Sequence, residues 1–410
     1  MVINDQKSVI HHLIQKGVQI YCPESIEIGD DINPDRISGN VTIHTGCKIF
    51  GEKTLILPGT VIGEEAPATL KNCFIGNNVH LKGGFFEGAV FLDHSQMGSC
   101  AHVRKGTILE EYASGAHSVG LKQTILFPFV TLGSLINFCD CLMAGGTDRK
   151  NHSEVGSSYI HFNYTPNQDK ATASLIGDVP NGVMLNQAPV FLGGQGGLVG
   201  PCRLAYGTII AAGSIYRKDI IKENQLAMDG AMRHATIGYT KGLYQNINRI
   251  VENNIIYISN LIALTHWYYY VRALWKADSF TSALHKGLCE TIQEAFEERM
   301  KQFKKFCDNM PESIRAYQYL SGQNSDIIDT KKRLYENCDQ LTDVLRQALP
   351  PSSDSRRDMF IESLSTVNGQ SYLESIQSLN GTYRLNGINW LQHIVDSVSE
   401  NALNIVKVAS

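Results

Sequence analysis

The sequence predicts a mainly β protein, a parallel β-helix built from hexapeptide repeats, followed by an all-α C-terminal region. Three runs of apolar residues recur at every sixth position, and the apolar spacing becomes helical after residue 240. A period of six fits neither the turn of an α-helix nor a hairpin sheet, but it is the period of a hexapeptide β-helix. The runs are Ile37, Ile43, Ile49, Leu55 and Val61; Val79, Phe85, Phe91, Met97, Val103 and Leu109; and Leu198, Leu204, Ile210 and Tyr216.

These periods divide the chain into an N-terminal helical segment at 1–19, the β-helix at 20–240 and an α-helical C-terminal domain at 241–410. From Gln245 onward glycine is almost absent for some distance, and apolar residues follow helical spacing. Polar side chains interrupt the apolar segment 254–275 well short of a membrane-spanning length. This segment therefore predicts a buried helix or a subunit contact.

Two stretches, 64–74 and 142–174, break the hexad count, and we expect both to be loops outside the coil. Loops held by a rigid scaffold are common places for a binding site. The second loop leads into "SSYIHFNYTPNQDKATASLIGD", residues 157–178, which is unusually rich in polar groups. The sequence thus predicts that the functional groups lie near this stretch.

Composition excludes several classes of function. The net charge of −4 shows no basic excess for nucleic acid, and no long run of one sign indicates a membrane surface. Ten cysteines without a CxxC pair, and an N-terminus without an apolar signal core, favour reduced thiols and a cytoplasmic location. Cys139 and Cys141 would bind a metal only if a further ligand such as His152 joined them, so we expect buried thiols and no metal site.

Several segments together resemble a known family, the left-handed β-helix acyltransferase domain of the bifunctional UDP-N-acetylglucosamine pyrophosphorylase / glucosamine-1-phosphate N-acetyltransferase. The resemblance covers about residues 11–220. It implies a homotrimer with clefts between subunits, which transfers an acyl group from acetyl-CoA to an amino sugar phosphate or a UDP-amino sugar. The segments are "LIQKGVQIYCPESIEIGDDI", "MGSCAHVRKGTIL", "VGLK", "FNYTPNQDKATASLIGD" and "GTIIAAGSIYRKD".

The resemblance also implies roles for individual residues. Arg104 and Lys122 would bind the phosphate of the sugar substrate, and Asn137 stands where the family has a sugar-contacting tyrosine. The remaining substrate-binding residues would be Asn163, Tyr164 and Lys170 in the polar stretch. The acetyl-CoA cleft would be lined by Ala211, Ala212 and Gly213.

Two departures from the family pattern limit this reading. The residues ahead of the coil leave no room for a pyrophosphorylase domain, so uridylyl transfer is not expected. In addition, Ser134 stands at the position of the family's catalytic histidine. The replacement base would be His161, which is two residues from Asn163 and on the same strand face; His152 and His117 are the other choices.

Three functions therefore remain open from the sequence. The first is an acyltransferase with His161 as general base. The second is a sugar-nucleotide-binding module that has lost catalysis, and the third is a trimeric scaffold whose helical region recruits partners. None of the three requires nucleic acid or a membrane.

Overall fold

The computed structural model describes residues 2–229, 236, 238–321, 325–350, 353–366 and 371–406. It confirms the predicted left-handed parallel β-helix followed by a helical region. The strands are β1 (Gln19–Ile20), β2 (Glu27–Ile28), β3 (Thr42–Ile43), β4 (Lys48–Phe50), β5 (Leu55–Ile56), β6 (Val61–Ile62), β7 (Ala68–Lys71), β8 (Phe74–Ile75), β9 (His80–Leu81), β10 (Gly84–Glu87), β11 (Ala89–Phe91), β12 (Gln96–Met97), β13 (Ala101–Val103), β14 (Thr107–Leu109), β15 (Ser114–Gly115), β16 (Gly120–Leu126), β17 (Thr131–Leu132), β18 (Asn137–Met143), β19 (Gly146–Asp148), β20 (Asn151–His152), β21 (Glu154–Val155), β22 (Tyr159–Phe162), β23 (Ser174–Ile176), β24 (Phe191–Leu192), β25 (Gly196–Val199), β26 (Arg203–Leu204), β27 (Ile209–Ile210), β28 (Ile215–Tyr216) and β29 (Leu226–Ala227).

The strands form three parallel ladders, which are the three faces of the coil. The first face consists of β1, β3, β6, β9, β12, β15, β17, β21, β24, β27 and β29. The second face consists of β2, β4, β7, β10, β13, β16, β18, β22, β25 and β28, and the third of β5, β8, β11, β14, β16, β18, β23 and β26. The long strands β16 and β18 turn a corner and contribute to two faces. The chain visits the faces in this order, so each coil has a first–second, a second–third and a third–first corner.

The hexad residues fill the interior of the coil. Ile43, Ile62, Leu81 and Met97 stack on successive rungs of the first face and are fully buried. Each such side chain contributes about 1.5–3 kcal/mol of hydrophobic free energy. The hexad count places Val61 on the rung after Ile43, but the structure pairs Ile43 with Ile62. The count fails there because this coil is one residue longer than three hexads.

The same slip occurs at Phe85, where Phe86 is the fully buried residue and Phe85 faces outward. The predicted loop at 64–74 is wrong for most of its length, since β7 and β8 lie within the coil. Ala68 and Leu70 are the buried residues there, and the small Ala68 conceals the apolar rhythm.

The predicted loop at 142–174 is only partly outside the coil. The antiparallel hairpin β19–β20 projects at the third–first corner, and residues 163–173 form an irregular loop at the second–third corner. Between these two excursions, β21 and β22 occupy ordinary rungs of the first and second faces.

The helical region packs on the third face of the coil. The helices are α1 (Val2–Gln15), α2 (Val179–Gly182), α3 (Asn248–His266), α4 (Ser279–Asp308), α5 (Met310–Ser321), α6 (Ser325–Glu336), α7 (Cys338–Gln347), α8 (Ser355–Ser365), α9 (Tyr372–Gln377) and α10 (Gly381–Val406). Helix α4 lies against β5, β8, β11 and β14. A Cβ atom at Gly287 would lie 2.2 Å from the Phe74 ring, so glycine permits this close approach.

Helix α3 is the predicted buried helix, and two of its asparagines tie it to the coil. The Asn254 side chain donates to the Ala171 carbonyl at 2.9 Å, and Asn260 accepts from the Val179 amide at 2.9 Å. In the part of the chain that the structure describes, no helix is both long and apolar enough to cross a membrane.

Candidate functional site

Three predicted substrate-binding residues lie together at the second–third corner. Arg104 follows β13, and Lys122 is the last second-face residue of β16 on the next rung. Lys170 belongs to the loop at 163–173, which leaves the coil at the same corner. Among the described residues, none of the three has a carboxylate within ion-pair distance. We call Arg104, Lys122 and Lys170 the cation cluster.

Cys139 marks the centre of the cation cluster. It pairs with Lys122 across the rung, and its sulfur lies 4.0 Å from Arg104 Nη2. Burial and the neighbouring Asp140 raise the pKa of the Cys139 thiol, while the charges of Arg104, Lys170 and Lys122 oppose this rise. The thiol therefore stays protonated and does not neutralise the cluster, which leaves its positive charge available to an anion.

Cys139 and Cys141 do not lie on one straight strand face. Strand β18 turns its corner at Asp140, whose φ is +62°, so the alternation of a straight strand does not apply. The Cys141 sulfur donates to the Cys139 carbonyl at 3.5 Å. His152 lies on the hairpin at the third–first corner, away from both cysteines.

Most of the polar groups of the loop at 163–173 form hydrogen bonds that attach the loop to the helices. Asp169 accepts from Thr165 and from Tyr244, both at 2.6 Å. Lys305 donates to the Gln168 carbonyl at 2.7 Å, and Arg299 donates to the Lys170 carbonyl at 3.2 Å. These bonds fix the backbone of the loop and leave the Lys170 side chain out of the network.

Among the predicted substrate ligands, Asn163 is the one held by a buried network of hydrogen bonds and an ion pair. Its side-chain amide donates to Asp140 at 2.6 Å, and the other carboxylate oxygen of Asp140 lies 2.6 Å from Arg299 in a buried ion pair. Tyr164, the next residue, is 61% exposed. The two residues therefore differ: Asn163 is part of the support of the cation cluster, whereas Tyr164 is accessible beside it.

His161 points into the coil and not toward a substrate. It is 2% exposed, and both ring nitrogens have partners: Nδ1 lies 2.6 Å from the Cys139 carbonyl and Nε2 lies 2.8 Å from Ser174 Oγ. Since a carbonyl only accepts, this network assigns the proton to Nδ1 and makes Nε2 the acceptor. Burial lowers the pKa of His161 to about 4. Its partner on the strand face, Asn163, lies beyond the end of β22, so the alternation that favoured His161 does not extend to it.

His117, the third choice from the sequence, occupies an exposed position at the first–second corner. Its Nδ1 lies 2.9 Å from Ser134 Oγ, which is on the next coil at the same corner. The Ser134 amide in turn donates to Ser157 Oγ at 3.1 Å, one coil further. A ring that donates from Nδ1 to Ser134 presents Nε2 as a proton acceptor. The position of the family's catalytic histidine is thus in direct contact with another histidine.

The predicted acetyl-CoA residues lie on the same corner as His117. Ala211, Ala212 and Gly213 connect β27 to β28, on the first–second corner three coils after Ser134. Gly193 fits only because it has no side chain, since a Cβ there would lie 2.3 Å from the Ala212 amide. A Cβ at Gly213 would meet nothing within 4 Å. The corner therefore carries no bulky side chain at Ala211, Ala212 or Gly213.

The second face connects the two corners. Asn137 is exposed on this face and pairs with Gly120 on one side and Ile160 on the other. His102, on the rung before Gly120, also faces outward. Because Gly120 carries no side chain, the side chains of His102 and Asn137 on the two flanking rungs have none between them.

The similarity to known proteins covers this coil. No protein-family model matches the chain. The bifunctional protein GlmU of Acinetobacter baumannii (strain AYE) is 28% identical over 244 residues, which are 58% of this chain and 47% of the relative. The β-helix of this chain fits the hexapeptide acyltransferase domain of the GlmU family.

Other GlmU proteins show the same extent of similarity. Those of Thermotoga maritima and Listeria monocytogenes serovar 1/2a are each 26% identical, over 213 and 243 residues. These matches cover 52% and 58% of this chain, and 42% and 47% of the relatives. The chain thus spans about half the length of the curated relatives it matches. The resemblance predicted from the motifs is confirmed.

Sequence reasoning missed two features of the structure. The contact between His117 and Ser134 follows from their separation of one coil, and it can be found by writing the repeats as aligned rungs. A second missed group is Glu110 and Glu111, adjacent carboxylates next to a buried apolar strand, which indicate buried partners elsewhere in the chain.

Proposed function

We propose that this chain is an acyltransferase that moves an acyl group from acyl-CoA to an amino sugar phosphate or a UDP-linked amino sugar. The proposal rests on one observation: a cation cluster with no carboxylate partner among the described residues and an exposed histidine–serine pair lie at the two edges of the same face of the coil. The similarity to GlmU proteins supports the same reaction class by relationship.

In this proposal His117 is the general base. Imidazole is suited to take a proton from an amine near neutral pH, and the bond to Ser134 orients the ring with Nε2 outward. The amine nitrogen attacks the thioester carbonyl, the new C–N bond forms, and the C–S bond breaks. The proton held by His117 then passes to the departing thiolate. His161 has no part in this scheme.

The cation cluster would bind the phosphate of the acceptor. Arginine can bind phosphate through two parallel hydrogen bonds, and lysine adds a point charge. Asn137 and Gly120 would face the sugar ring, and Tyr164 would cover it from the loop. Among neighbouring groups, Asn163 supports the cluster through Asp140 and does not need to touch the sugar.

Acetyl-CoA would lie along the first–second corner. The edge at Ala211, Ala212 and Gly213 offers backbone groups and no bulky side chain, which suits an extended pantetheine arm. Its thioester end would point along the corner toward Ser134 and His117. This chain would supply the binding edge and the proton acceptor, and acetyl-CoA would supply the acyl group.

A homotrimer is part of the proposal. Helices of the same chain cover the third face, but apolar side chains remain exposed on the other two. Phe191, Ile209 and Leu226 occupy successive rungs of the first face and are 40%, 44% and 63% exposed. Association through the first and second faces would bury them and bring His117 of one protomer opposite the second face of its neighbour. A mass near 45.4 kDa in light scattering would contradict this arrangement.

The test is a thiol-release assay with acetyl-CoA and either glucosamine 1-phosphate or UDP-glucosamine. We expect turnover with one of the two acceptors, and His117→Asn should lower turnover by about 10²–10⁴ while acceptor binding stays nearly unchanged. His152→Asn, on the distant hairpin, is the matched control. Equal activity of His117→Asn and the parent protein would refute the assigned base.

The second candidate is a module that binds the sugar nucleotide without catalysis. Ser134 at the position of the family's catalytic histidine favours it, since a serine cannot take that role alone. Isothermal titration separates the two functions. Binding of UDP-N-acetylglucosamine without any binding of acetyl-CoA supports the module, whereas binding of both supports the transferase.

A further inference from the structure

The second face carries a stacked pair of aromatic side chains next to the cation cluster. Phe85 and His102 occupy successive rungs, and their ring centroids are 5.2 Å apart at an angle of 24°. The ladder continues through Arg104, whose amide donates to the Leu121 carbonyl at 2.9 Å. Residues two apart on a strand share a face, so the exposed His102 lies on the same side of the strand as Arg104. The pair therefore borders the proposed acceptor site.

The stack leaves one face of the His102 ring without an aromatic neighbour. Phe85 covers one face, and the rung on the other side presents Gly120, which has no side chain. Another ladder of the coil behaves differently, since Tyr112 has an aromatic ring on each side, with centroids at 4.6 and 5.8 Å. The stack at His102 ends at a glycine, and its outer ring face is available to a ligand.

The spacing of the rungs suits one ring between His102 and Asn137. Neighbouring strands lie about 4.8 Å apart, so a ring on the Gly120 rung would stack on His102 at nearly the 5.2 Å of the Phe85–His102 pair. Asn137 borders the same place, because its Oδ1 would lie 3.8 Å from a Cβ atom at Gly120. The Cys139 thiol donates to this oxygen at 3.4 Å, which orients the amide and presents its Nδ2 as a donor.

These groups match a sugar ring that carries a phosphate. The face of an aromatic ring is electronegative, and the C–H groups on one side of a pyranose are complementary to it. Hydroxyl groups at the edge of the sugar can accept from Asn137. Lys122 lies on the same rung as Gly120, within reach of a phosphate on that sugar. A phosphate without a sugar would contact the cation cluster alone.

We propose that His102 is the platform on which the sugar ring of the acceptor stacks, and that Phe85 holds the imidazole in position. The inference rests on the proposed function, because it assigns a contact within the same acceptor site. The sugar lies over the Gly120 rung, with its phosphate at the cation cluster. A large side chain at Gly120 would occupy the place of the sugar.

The experiment measures binding to the full chain by calorimetry. The ligands are UDP-N-acetylglucosamine and N-acetylglucosamine 1-phosphate, and UDP and inorganic phosphate are the counterparts without the amino sugar. We expect His102→Ala to weaken binding of the amino sugar ligands about three- to tenfold, as the loss of an aromatic contact does, and to leave the counterparts unchanged. His102→Phe keeps a ring face and should restore the affinity.

The matched control is His44→Ala. His44 also stacks on an aromatic ring, that of Tyr21 at 4.9 Å, but it lies at the first–second corner near the start of the coil. This variant should bind all four ligands like the parent protein.

A second variant fills the gap in the ladder. A Cβ atom at Gly120 would meet its nearest atom outside the adjoining residues at 3.8 Å, an ordinary contact, so the backbone accepts a side chain there. Gly120→Leu should therefore fold and lose at least about tenfold in affinity for the amino sugar ligands, since the leucine displaces the ring.

The outcomes separate this inference from the proposed reaction. Unchanged affinity of His102→Ala, an equal loss for UDP, no recovery in His102→Phe, or parental affinity of Gly120→Leu would each overturn the platform. If the parent binds the amino sugar ligands but transfers no acyl group, the reaction is refuted while the effect of His102 on binding stands. If the parent binds neither amino sugar ligand, both proposals are refuted.

Discussion

Protonation of His161 should destabilise the folded chain in mild acid. The pKa of this imidazole falls from an ordinary 6.5 to about 4 because the side chain is buried. Between these values the unfolded chain binds a proton that the folded chain does not, so stability is lost as the pH falls through this window. The shift of the pKa corresponds to about 3 kcal/mol.

The parent protein alone cannot reveal this effect. Burial raises the pKa of Glu110 from 4.5 to about 7, the charge of Arg272 acts in the opposite direction, and Glu111 adds to the rise. Between pH 4.5 and 7 the folded chain therefore holds a proton that the unfolded chain has released, and stability is lost as the pH rises. The two contributions have opposite sign, so the pH dependence of the parent does not isolate that of His161.

The measurement is urea denaturation of the parent and of His161→Gln between pH 4 and pH 7.5. Glutamine keeps a donor and an acceptor for Cys139 and Ser174, and it does not titrate. The parent should be the more stable at pH 7, and its advantage should shrink by about 3 kcal/mol on going to pH 4. An advantage that stays constant across this range would show that His161 is accessible and titrates normally, as a general base would.

Three further predictions test other parts of the structure. Arg104→Ala should raise the KM for a phosphorylated acceptor about tenfold or more with a smaller effect on kcat, and Lys105→Ala on the outer side of the same corner is the control; equal KM values would remove Arg104 from the site. For Glu110→Gln, urea denaturation should show that the parent loses about 3 kcal/mol relative to the variant from pH 4.5 to pH 7, and parallel curves would contradict the raised pKa. Arg299→Met should lower the free energy of unfolding by about 3–5 kcal/mol, because Asp140 is then buried without a charged partner; a loss below about 1 kcal/mol in the same denaturation assay would argue against a buried pair.

The fold could be predicted largely because the coil repeats its interior pattern. Ile43, Ile49, Leu204 and Ile210 are fully buried or nearly so, as the hexads require. The count failed where one coil gained a residue, as at Ile62, since a fixed period has no means of detecting a longer corner. It also failed where a small residue replaced a large one at an inward position.

The site was harder to predict, because its contacts join residues far apart in the chain. The grouping of Arg104, Lys122 and Lys170 followed from the family resemblance, and the structure brings them to one corner. The loop at 163–173, however, accepts hydrogen bonds from Tyr244, Arg299 and Lys305. These residues are far from the loop in the chain, so no local sequence pattern connects them to it. The inward direction of His161 depends on the register of β22, and one residue of register decides whether a side chain faces the core or the solvent.

In the proposed function, this chain forms a C–N bond between an acyl group and an amino sugar. The direct measurement is mass spectrometry of the products after incubation with acetyl-CoA carrying a ¹³C-labelled acetyl group and with glucosamine 1-phosphate or UDP-glucosamine. The proposal predicts a labelled N-acetyl sugar with the parent protein and a strongly reduced amount with His117→Asn. Absence of labelled product from both acceptors, with both ligands shown to bind, would contradict it.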